Sequence, residues 1–398
     1  MSAPRHAGAL VHEWVAQSGG SENVFEALSE IFPQADLYCL WNDSTGRFEG
    51  RDLNETWLAR TPLRRSKVAA LPFMPATWSR LGGRDYDWVL ISSHLFAHHA
   101  RFRRARPGVP RYVYVHTPAR YIWNPELDGR GSHALLQLAA TALKPMDRRA
   151  AQRPDTSFAA NSAFVKTRIQ QAWGVDASVI YPPVDVEAIQ AVDRWSDELD
   201  AADREQLESL PQGFVLGASR FIPYKRLDLV VRTGEVTGRP VVLAGRGPEL
   251  KNLQRLAQDA AVPVHILEGP STSLLRALYE RTALYVFPAV EDFGIMPVEA
   301  MAAGARVLAQ AVGGTAESVV QGETGALVAF AADDEIRAGV EVALSGSVAQ
   351  SRERARAFSR ARFVEEVRAW VRADTDAASV GTSSPGSSTA AQPRGRGQ

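Results

Sequence analysis

The stretch ALYVFPAVEDFGIMPVEAMAAGARVLA, residues 283–309, decides the fold. Its apolar start predicts a buried strand, and Pro297 suits the first turn of a following helix, where a missing N–H costs nothing. The stretch ends in a second apolar run, ARVLA. Continuous apolar strands on either side of a helix are typical of a parallel sheet that is buried on both faces.

The same alternation extends over the rest of the chain, with amphipathic helices such as SENVFEALSEIF between apolar strands. The twelve predicted strands are GALVHEW, DLYCLW, DWVLISS, RYVYVH, TSFAANS, SVIYPP, FVLGAS, PVVLAG, VPVHILEG, ALYVFPAV, ARVLAQAV and GALVAF. So many strands suit two sheets better than one. We therefore predict an α/β fold with two Rossmann-like, doubly wound parallel-sheet domains that face a cleft.

Changes in composition predict the domain boundaries. Residues 183–213 begin within a double proline, are rich in acids and end in Pro-Gln-Gly, so we expect an interdomain linker there. The predicted domains are then 1–182 and 214–349, followed by a helix over 350–373. Residues 374–398 contain no Leu, Ile, Phe, Tyr or Trp, and we expect them to be disordered because they bury too little apolar surface.

Composition excludes several classes of protein. The 398 residues include 45 basic and 45 acidic side chains, and this balance argues against a protein that binds polyanions over its whole surface. Cys39 is the only cysteine, which excludes an intramolecular disulfide and argues against a cysteine-based zinc site. The sequence shows neither a long apolar run nor a signal-like start, so we expect a cytoplasmic protein without a transmembrane helix.

Two carboxylates frame the loop of the opening stretch. Glu291 lies in the loop, Glu299 lies in the helix, and Gly294 between them permits close backbone approach. The helix start offers N–H donors and a positive dipole end to a phosphate, while the carboxylates can accept hydrogen bonds from hydroxyl groups. Either Glu alone is more often an ordinary solvated acid, but the combination favours a sugar nucleotide.

Cations and glycines follow other strands. Arg220 and Lys225 come after FVLGAS and can neutralise a diphosphate, although each alone is more often a surface residue. Gly19 and Gly20 precede a helix that Ser21 can cap, which resembles a loop approached by phosphate. This glycine pair is a weak signal and does not satisfy the G-x-G-x-x-G dinucleotide fingerprint.

His116 follows the strand RYVYVH directly, at the expected ligand edge of the sheet. The loop after it contains Arg120, Tyr121 and Trp123, whose rings can stack on a sugar. A structural role for His116 and a functional one remain equally open.

A metal site is not expected. Asp85-Tyr86-Asp87 resembles a D-x-D metal motif, but it precedes its strand, away from the ligand edge. We find no other ligand set with metal spacing, so neither metal nor cofactor is predicted. Arg220, Lys225 and a helix dipole would then handle the phosphate charge.

These motifs together resemble the retaining glycosyltransferases of family 4, which have the two-domain GT-B fold. The resemblance covers nearly the whole chain and is closest to bacterial O-antigen and exopolysaccharide mannosyltransferases. It rests on GGSENVFEAL, LISSH, VYVHTPARYIW, NSAFVKTRI, VIYPPVD, SRFIPYKRLDLVV and FPAVEDFGIMPVEAMAAG. It implies that domain 1–182 binds the acceptor, that domain 214–349 binds the donor, and that helix 350–373 crosses back onto the first domain.

The resemblance also implies roles for single residues. Arg220 and Lys225 would bind the diphosphate and stabilise the leaving nucleotide, and Glu291 would contact the donor sugar. The other implied donor contacts are His116, Gly19, Gly20, Glu299 at the ribose, and the backbone N–H groups of Phe293, Gly294 and Ile295. The implied acceptor candidates are Arg120, Tyr121 and Trp123.

The resemblance favours GDP-mannose as donor and a saccharide or polyprenyl-linked saccharide as acceptor, in the synthesis of a surface polysaccharide. A UDP-sugar such as UDP-glucose is the alternative donor. Basic stretches 60–67 and 101–108 leave a peripheral contact with an anionic membrane open, at the inner face. A catalytically silent nucleotide-sugar-binding protein is the alternative from another class, while an epimerase of this fold and a Rossmann oxidoreductase lack their expected motifs.

Overall fold

The computed structural model describes residues 7–44, 46–123 and 134–380, with side chains left out at 121, 134–142 and 372–380. The predicted disorder of 374–398 therefore falls mostly outside the described residues. No helix within the described ranges is both long and apolar enough to cross a bilayer.

The first sheet contains seven strands in the order β3-β2-β1-β4-β5-β6-β7, and all its pairs are parallel. Its strands are β1 Gly8–His12, β2 Asp36–Cys39, β3 Leu53–Glu55, β4 Trp88–Ser93, β5 Arg111–Val115, β6 Thr156–Ala160 and β7 Ser178–Val179. The accompanying helices are α1 Gly20–Ile31, α2 Lys67–Ala70, α3 Met74–Trp78, α4 Arg120–Trp123, α5 Ala134–Ala151 and α6 Ala163–Trp173.

The second sheet contains six strands in the order β10-β9-β8-β11-β12-β13, again all parallel. Its strands are β8 Val215–Ala218, β9 Val241–Gly245, β10 Val264–Glu268, β11 Leu284–Phe287, β12 Val307–Gln310 and β13 Gly325–Val328. The remaining helices are α7 Val186–Gln190, α8 Ala201–Ser209, α9 Leu227–Thr237, α10 Leu250–Asp259, α11 Thr272–Arg281, α12 Ile295–Ala303, α13 Asp333–Ser345, α14 Val348–Ala355 and α15 Arg360–Val380.

This architecture confirms the predicted fold class of two doubly wound parallel-sheet domains. Central strands are buried along their whole length, as in β4 and β5, because helices cover both faces of the sheet. Strand β3, of sequence LNE at the sheet edge, was not predicted. Its polar composition gives no apolar run from which a strand could be predicted.

The segment predicted as an interdomain linker, 183–213, is folded. It contains α7, α8 and a 3-10 turn at Trp195–Glu198. Its apolar side chains Val186, Leu207 and Leu210 are buried in the same core cluster as β8 and α12. The acidic residues that suggested a linker are explained as the solvent face of amphipathic helices.

The C-terminal segment differs from the single helix predicted over 350–373. Helix α14 ends in a 3-10 turn at Arg356–Phe358, and α15 begins after Ser359, whose hydroxyl accepts a hydrogen bond from Arg362 N. Ser359 also forms a parallel bridge with Val184, where the chain crosses between domains. Helix α15 runs past residue 373 to Val380, since a formed helix adds one hydrogen bond for each further residue.

Helix α15 packs on the first domain. Phe363, Val367 and Val371 are buried in one core cluster with Leu10 and Phe25. The hydroxyl of Tyr112 donates to Val371 O at 2.9 Å, and the Trp370 indole donates to Ser157 Oγ at 2.8 Å. Helix α15 therefore returns from the second domain to the first.

Candidate active site

In each sheet the strand order reverses at one place, between β1 and β4 in the first sheet and between β8 and β11 in the second. Ligands of doubly wound sheets bind outside the carboxyl ends of the strands at this reversal. The loops after β8 and β11 contain Lys225 and Glu291. The sheet topology therefore selects the residues that the sequence singled out.

The loop between β11 and α12 depends on Gly294. This residue has a φ of 92°, a left-handed conformation that side chains other than glycine rarely adopt. A Cβ at this position would lie 2.3 Å from Thr315 Oγ1. The glycine therefore permits the turn that starts α12 at Ile295 and leaves its first N–H groups without helical partners.

Glu291 and Lys225 form an ion pair at the mouth of this turn. The Lys225 Nζ donates to Glu291 Oε1 at 2.5 Å, and the two side chains are only 10% and 17% exposed. The same ammonium lies 5.1 Å from the centre of the Phe287 ring. The pair fixes a cation and a carboxylate side by side, as contact with both a phosphate and a sugar hydroxyl would require.

The N-termini of two helices meet beside this pair. Helix α1 of the first domain begins at Gly20, and α12 of the second begins at Ile295. A Cβ on Gly20 would lie 3.2 Å from Ile295 Cδ1, so the two helix starts are in contact distance across the domains. The start of a helix carries a positive dipole end, which favours the binding of a diphosphate. Gly19 immediately precedes α1.

Arg220 is exposed, and its Nη2 donates to the Tyr224 hydroxyl at 3.3 Å. It lies in the loop after β8, and its role at the diphosphate stays a prediction. The side chain of Phe293, unlike that of Arg220, is not exposed. Its ring is buried in the core of the second domain against Tyr181 and Phe358. Only its backbone remains as a contact for a ligand.

Glu299 accepts a hydrogen bond from Arg276 Nη2 at 3.0 Å. Arg276 lies on α11, is nearly buried, and its Nη1 has no hydrogen-bond partner among the described residues. Arg276 was not predicted as a site residue, because the apolar pattern of STSLLRALYERT indicates a helix but does not show which residue its arginine contacts.

His116 is buried at the end of β5. The Ser92 hydroxyl lies 2.8 Å from His116 Nε2 and 3.0 Å from His12 Nδ1, so one hydroxyl connects the two imidazoles. Burial lowers the pKa of His116 to about 3, and that of His12 also to about 3. Both rings are therefore neutral near pH 7, which suits hydrogen bonding better than proton donation.

The three acceptor candidates have different surroundings. The guanidinium of Arg120 binds Asp292 of the second domain, with Nη2 2.5 Å from Oδ2 and 3.9 Å from Glu291 Oε2. The indole of Trp123 donates to Asp147 at 2.8 Å. The side chains of Arg120 and Trp123 thus each bind an aspartate of the protein. The side chain of Tyr121 lies outside the described residues.

One cluster of potential metal ligands occurs in the described part of the chain. His98, His99 and Asp147 are buried with their ligand atoms within 4.8 Å of one another. Each imidazole Nε2 lies 3.1 Å from Asp147 Oδ1, and Oδ2 accepts from the indoles of Trp123 and Trp173. Three ring N–H groups, those of His99, Trp123 and Trp173, hydrogen-bond the carboxylate, whereas His98 Nε2 lies near it without a hydrogen-bond partner among the described residues.

The D-x-D sequence, which is not expected to bind a metal, forms ion pairs with an arginine side chain. Asp85 and Asp87 both bind Arg106, at 2.8 and 2.7 Å. They lie before β4, at the end of the sheet opposite to His116.

Two family models match the chain. The model described as "Glycosyltransferase Family 4" matches residues 18–188, and the model described as "Glycosyl transferases group 1" matches residues 200–362. Together the two models cover most of both domains.

Curated relatives match a shorter segment. The GDP-mannose-dependent alpha-(1-6)-phosphatidylinositol monomannoside mannosyltransferase of Mycolicibacterium smegmatis is 29% identical over 184 residues, which are 42% of this chain and 47% of that relative. The alpha-1,3/1,6-mannosyltransferase alg-2 of Neurospora crassa is 27% identical over 211 residues, 42% of this chain and 44% of that relative. The chain spans about half the length of these curated relatives.

Solved structures match over nearly the whole chain. HepE of Anabaena, in complex with UDP-glucose, superposes with a TM-score of 0.65 over 92% of this chain and 99% of that chain, at 18% identity. At this identity the likeness is one of fold, with two parallel-sheet domains that face each other.

Proposed function

Because the chain belongs to the family 4 glycosyltransferases and has the GT-B fold, we propose that it transfers mannose from GDP-mannose to a saccharide or lipid-linked saccharide. The observation that carries the proposal is the Lys225–Glu291 pair, 2.5 Å apart in the loops of the second domain, together with the close approach of the starts of α1 and α12. A diphosphate fits the cation and the helix ends, and a sugar hydroxyl fits the carboxylate.

The chemistry that this arrangement favours is transfer with retention of the donor's anomeric configuration. The acceptor oxygen attacks the anomeric carbon on the face from which the diphosphate departs, and the bond from that carbon to the phosphate oxygen breaks. The leaving phosphate takes the acceptor proton. Lys225 and Arg220 then stabilise the charge that develops on the phosphate, which is the main contribution we assign to the protein.

Neutral His116 suits this scheme. With its pKa lowered by burial to about 3, it offers hydrogen bonds to sugar hydroxyls without competing for the acceptor proton. Glu299, oriented by Arg276, is proposed to accept from the ribose. The resulting site needs no metal ion, because side-chain cations and helix dipoles already face the diphosphate.

Support for the donor comes from the relatives. Both curated proteins described above are mannosyltransferases, and the one from Mycolicibacterium smegmatis depends on GDP-mannose. The complex of HepE with UDP-glucose keeps a UDP-sugar as the alternative donor. A catalytically silent binding protein is disfavoured, since Arg220, Lys225, Glu291 and Glu299 are all present.

An anionic membrane is the proposed surface on which the acceptor is met. Residues 56–84 contain no Asp or Glu, and Arg60 and Arg65 are exposed in this segment. Trp57 and Phe73 are 52% and 45% exposed, with ring centres 6.2 Å apart. Exposed aromatic rings among cations suit a lipid interface. Sedimentation with phosphatidylglycerol vesicles should fall in W57S/F73S, and equal sedimentation would refute the contact.

A thermal-shift screen tests the donor. Ligand that binds only the native state stabilises it by about 2.7 kcal/mol at a hundredfold excess over Kd. We expect GDP and GDP-mannose to raise the Tm, and UDP, UDP-glucose and UDP-N-acetylglucosamine not to. A shift with the UDP compounds alone would move the proposal to a UDP-sugar transferase. No shift with any of the five would contradict the assigned site.

A further inference from the structure

Asp292, the residue after Glu291, is held between two arginines of the first domain. Its Oδ2 accepts from Arg120 Nη2 at 2.5 Å and from Arg120 Nε at 3.2 Å, and its Oδ1 accepts from Arg168 Nη1 at 2.5 Å. The side chain of Arg168 is 5% exposed, and that of Asp292 is 13% exposed. Contacts so well shielded from water are screened far less than surface ion pairs.

Arg168 lies on helix α6, and the start of this helix also binds the backbone of the loop that contains Asp292. Ser162, the N-cap of α6, accepts from Val165 N at 3.0 Å and donates from its hydroxyl to Asp292 O at 2.5 Å. A second acid of the other domain, Glu317, accepts from Ala163 N and Phe164 N, both at 2.8 Å. The start of α6 therefore contacts two loops of the second domain at once.

Arg120 connects this contact to the proposed site. Its Nη2 binds Asp292 and lies 3.9 Å from the Glu291 carboxylate, which in turn pairs with Lys225. The two neighbouring acids thus face different partners, Asp292 toward the first domain and Glu291 toward the cleft. The position of Glu291 depends on where the first domain holds Asp292.

We propose that Arg168 and Asp292 are positioning residues for glycosyl transfer, forming an interdomain clamp that sets the Glu291 loop only when the two domains are together. This inference rests on the proposed function for its catalytic consequence. Arg168 acts through Asp292, because its contact is with the Asp292 carboxylate rather than with the Lys225–Glu291 pair.

The clamp separates donor binding from turnover. The second domain holds Arg220, Lys225, Glu299 and the start of α12, so a nucleotide bound there loses only the contact with the start of α1 when the first domain moves away. Productive placement of the sugar requires the Glu291 loop and the first domain together. A displacement of about 1 Å in a reacting group can cost about 100-fold in rate.

The test compares R168M and D292N with K166M, a matched control on the same helix. Lys166 is half-buried and pairs with Asp176 of its own domain at 3.0 Å. We expect R168M to lower kcat for GDP release from GDP-mannose by about 100-fold, with Kd for GDP raised by no more than about fivefold through loss of the contact with the start of α1. R168K should recover part of the loss, since an ammonium keeps the charge but not the forked geometry. The double variant R168M/D292N should be no slower than the slower single variant.

A second measurement does not depend on turnover. Small-angle scattering of the donor-free protein should show a larger radius of gyration for R168M than for wild type and K166M. Equal radii together with turnover like that of K166M would overturn the clamp, as would losses that add in the double variant. If the wild type turns over no nucleotide sugar, the proposed function fails by itself, and scattering still decides whether the clamp exists.

Discussion

The Lys225 Nζ lies 2.5 Å from Glu291 Oε1, although the two residues belong to different βα units of the second domain. The reason is topological, since Lys225 follows β8 and Glu291 follows β11, and these two strands are neighbours at the reversal of the strand order. Parallel neighbours end at the same edge, so their following loops meet. The pair is a direct product of the doubly wound sheet.

Replacing Lys225 with Ala removes the cation of this pair, whose side chain is largely shielded from solvent. We expect kcat for GDP release to fall by about 100-fold or more, about 3 kcal/mol, the cost of losing one donor to a developing negative charge. R226A is the matched control, since Arg226 is adjacent, exposed and paired with Asp228. Near wild-type turnover in K225A would remove Lys225 from the chemistry.

The Gly20→Ala substitution tests the meeting of the two helix starts. The new Cβ would press on Ile295 Cδ1 at 3.2 Å, so the Ile295 side chain or the helix start must shift by a few tenths of an ångström. We expect Kd for GDP to rise roughly fivefold, about 1 kcal/mol, because the diphosphate loses part of a helix-end interaction. The control is G82A, since a Cβ on Gly82 meets nothing within 4 Å. Calorimetric titration that gives both variants wild-type affinity would contradict the arrangement.

Acid should destabilise the protein below about pH 6.5. Burial lowers the pKa of His12 and His116 to about 3 and of His99 to about 4, so the unfolded chain binds more protons between these values and 6.5. Stability therefore falls as pH drops through this window. Burial raises the pKa of Glu13 to about 7, so this carboxyl stabilises the folded protein as the pH drops from 7 to 4.5. Its effect opposes that of the three histidines, but it comes from one group only.

Urea unfolding at pH 7.5, 6.0 and 5.0 measures this balance. We expect the midpoint to fall steadily toward pH 5. The variant H99Q should flatten the dependence, because one neutral buried imidazole is removed. A midpoint that stays level or rises on acidification would show that these histidines are protonated in the folded protein.

Chelation with EDTA should leave turnover largely intact. The cations Lys225 and Arg220 and the starts of α1 and α12 are the groups we assign to the diphosphate. A complete loss of GDP release that magnesium restores would overturn this assignment. The measurement should be made at saturating donor, so that weak effects on affinity do not hide the result.

The fold could be predicted from the sequence because its strands are buried on both faces. Runs such as WVLISS at β4 and LYVF at β11 lie where the pattern placed them. The prediction failed where burial is partial. Strand β3 is polar and lies at an edge, and the acids of 183–213 belong to helices whose other face is buried.

The candidate site was predictable where one loop contains its own signal. Glu291, Gly294 and Glu299 share a single strand–loop–helix stretch, and the structure places Lys225 beside the first of them. The contacts Arg168–Asp292 and Arg276–Glu299 were not predicted. Each joins helices and loops that are distant in sequence, and only the packing of the elements brings the charges together.

The central claim is that a nucleoside diphosphate is bound between the starts of α1 and α12, against Lys225. A crystal structure of the protein with GDP tests it most directly. We predict that the β-phosphate lies within hydrogen-bond distance of Lys225 Nζ and of backbone N–H groups at Gly20 and Ile295. A diphosphate bound elsewhere, or one whose phosphates contact neither helix start, would contradict the account.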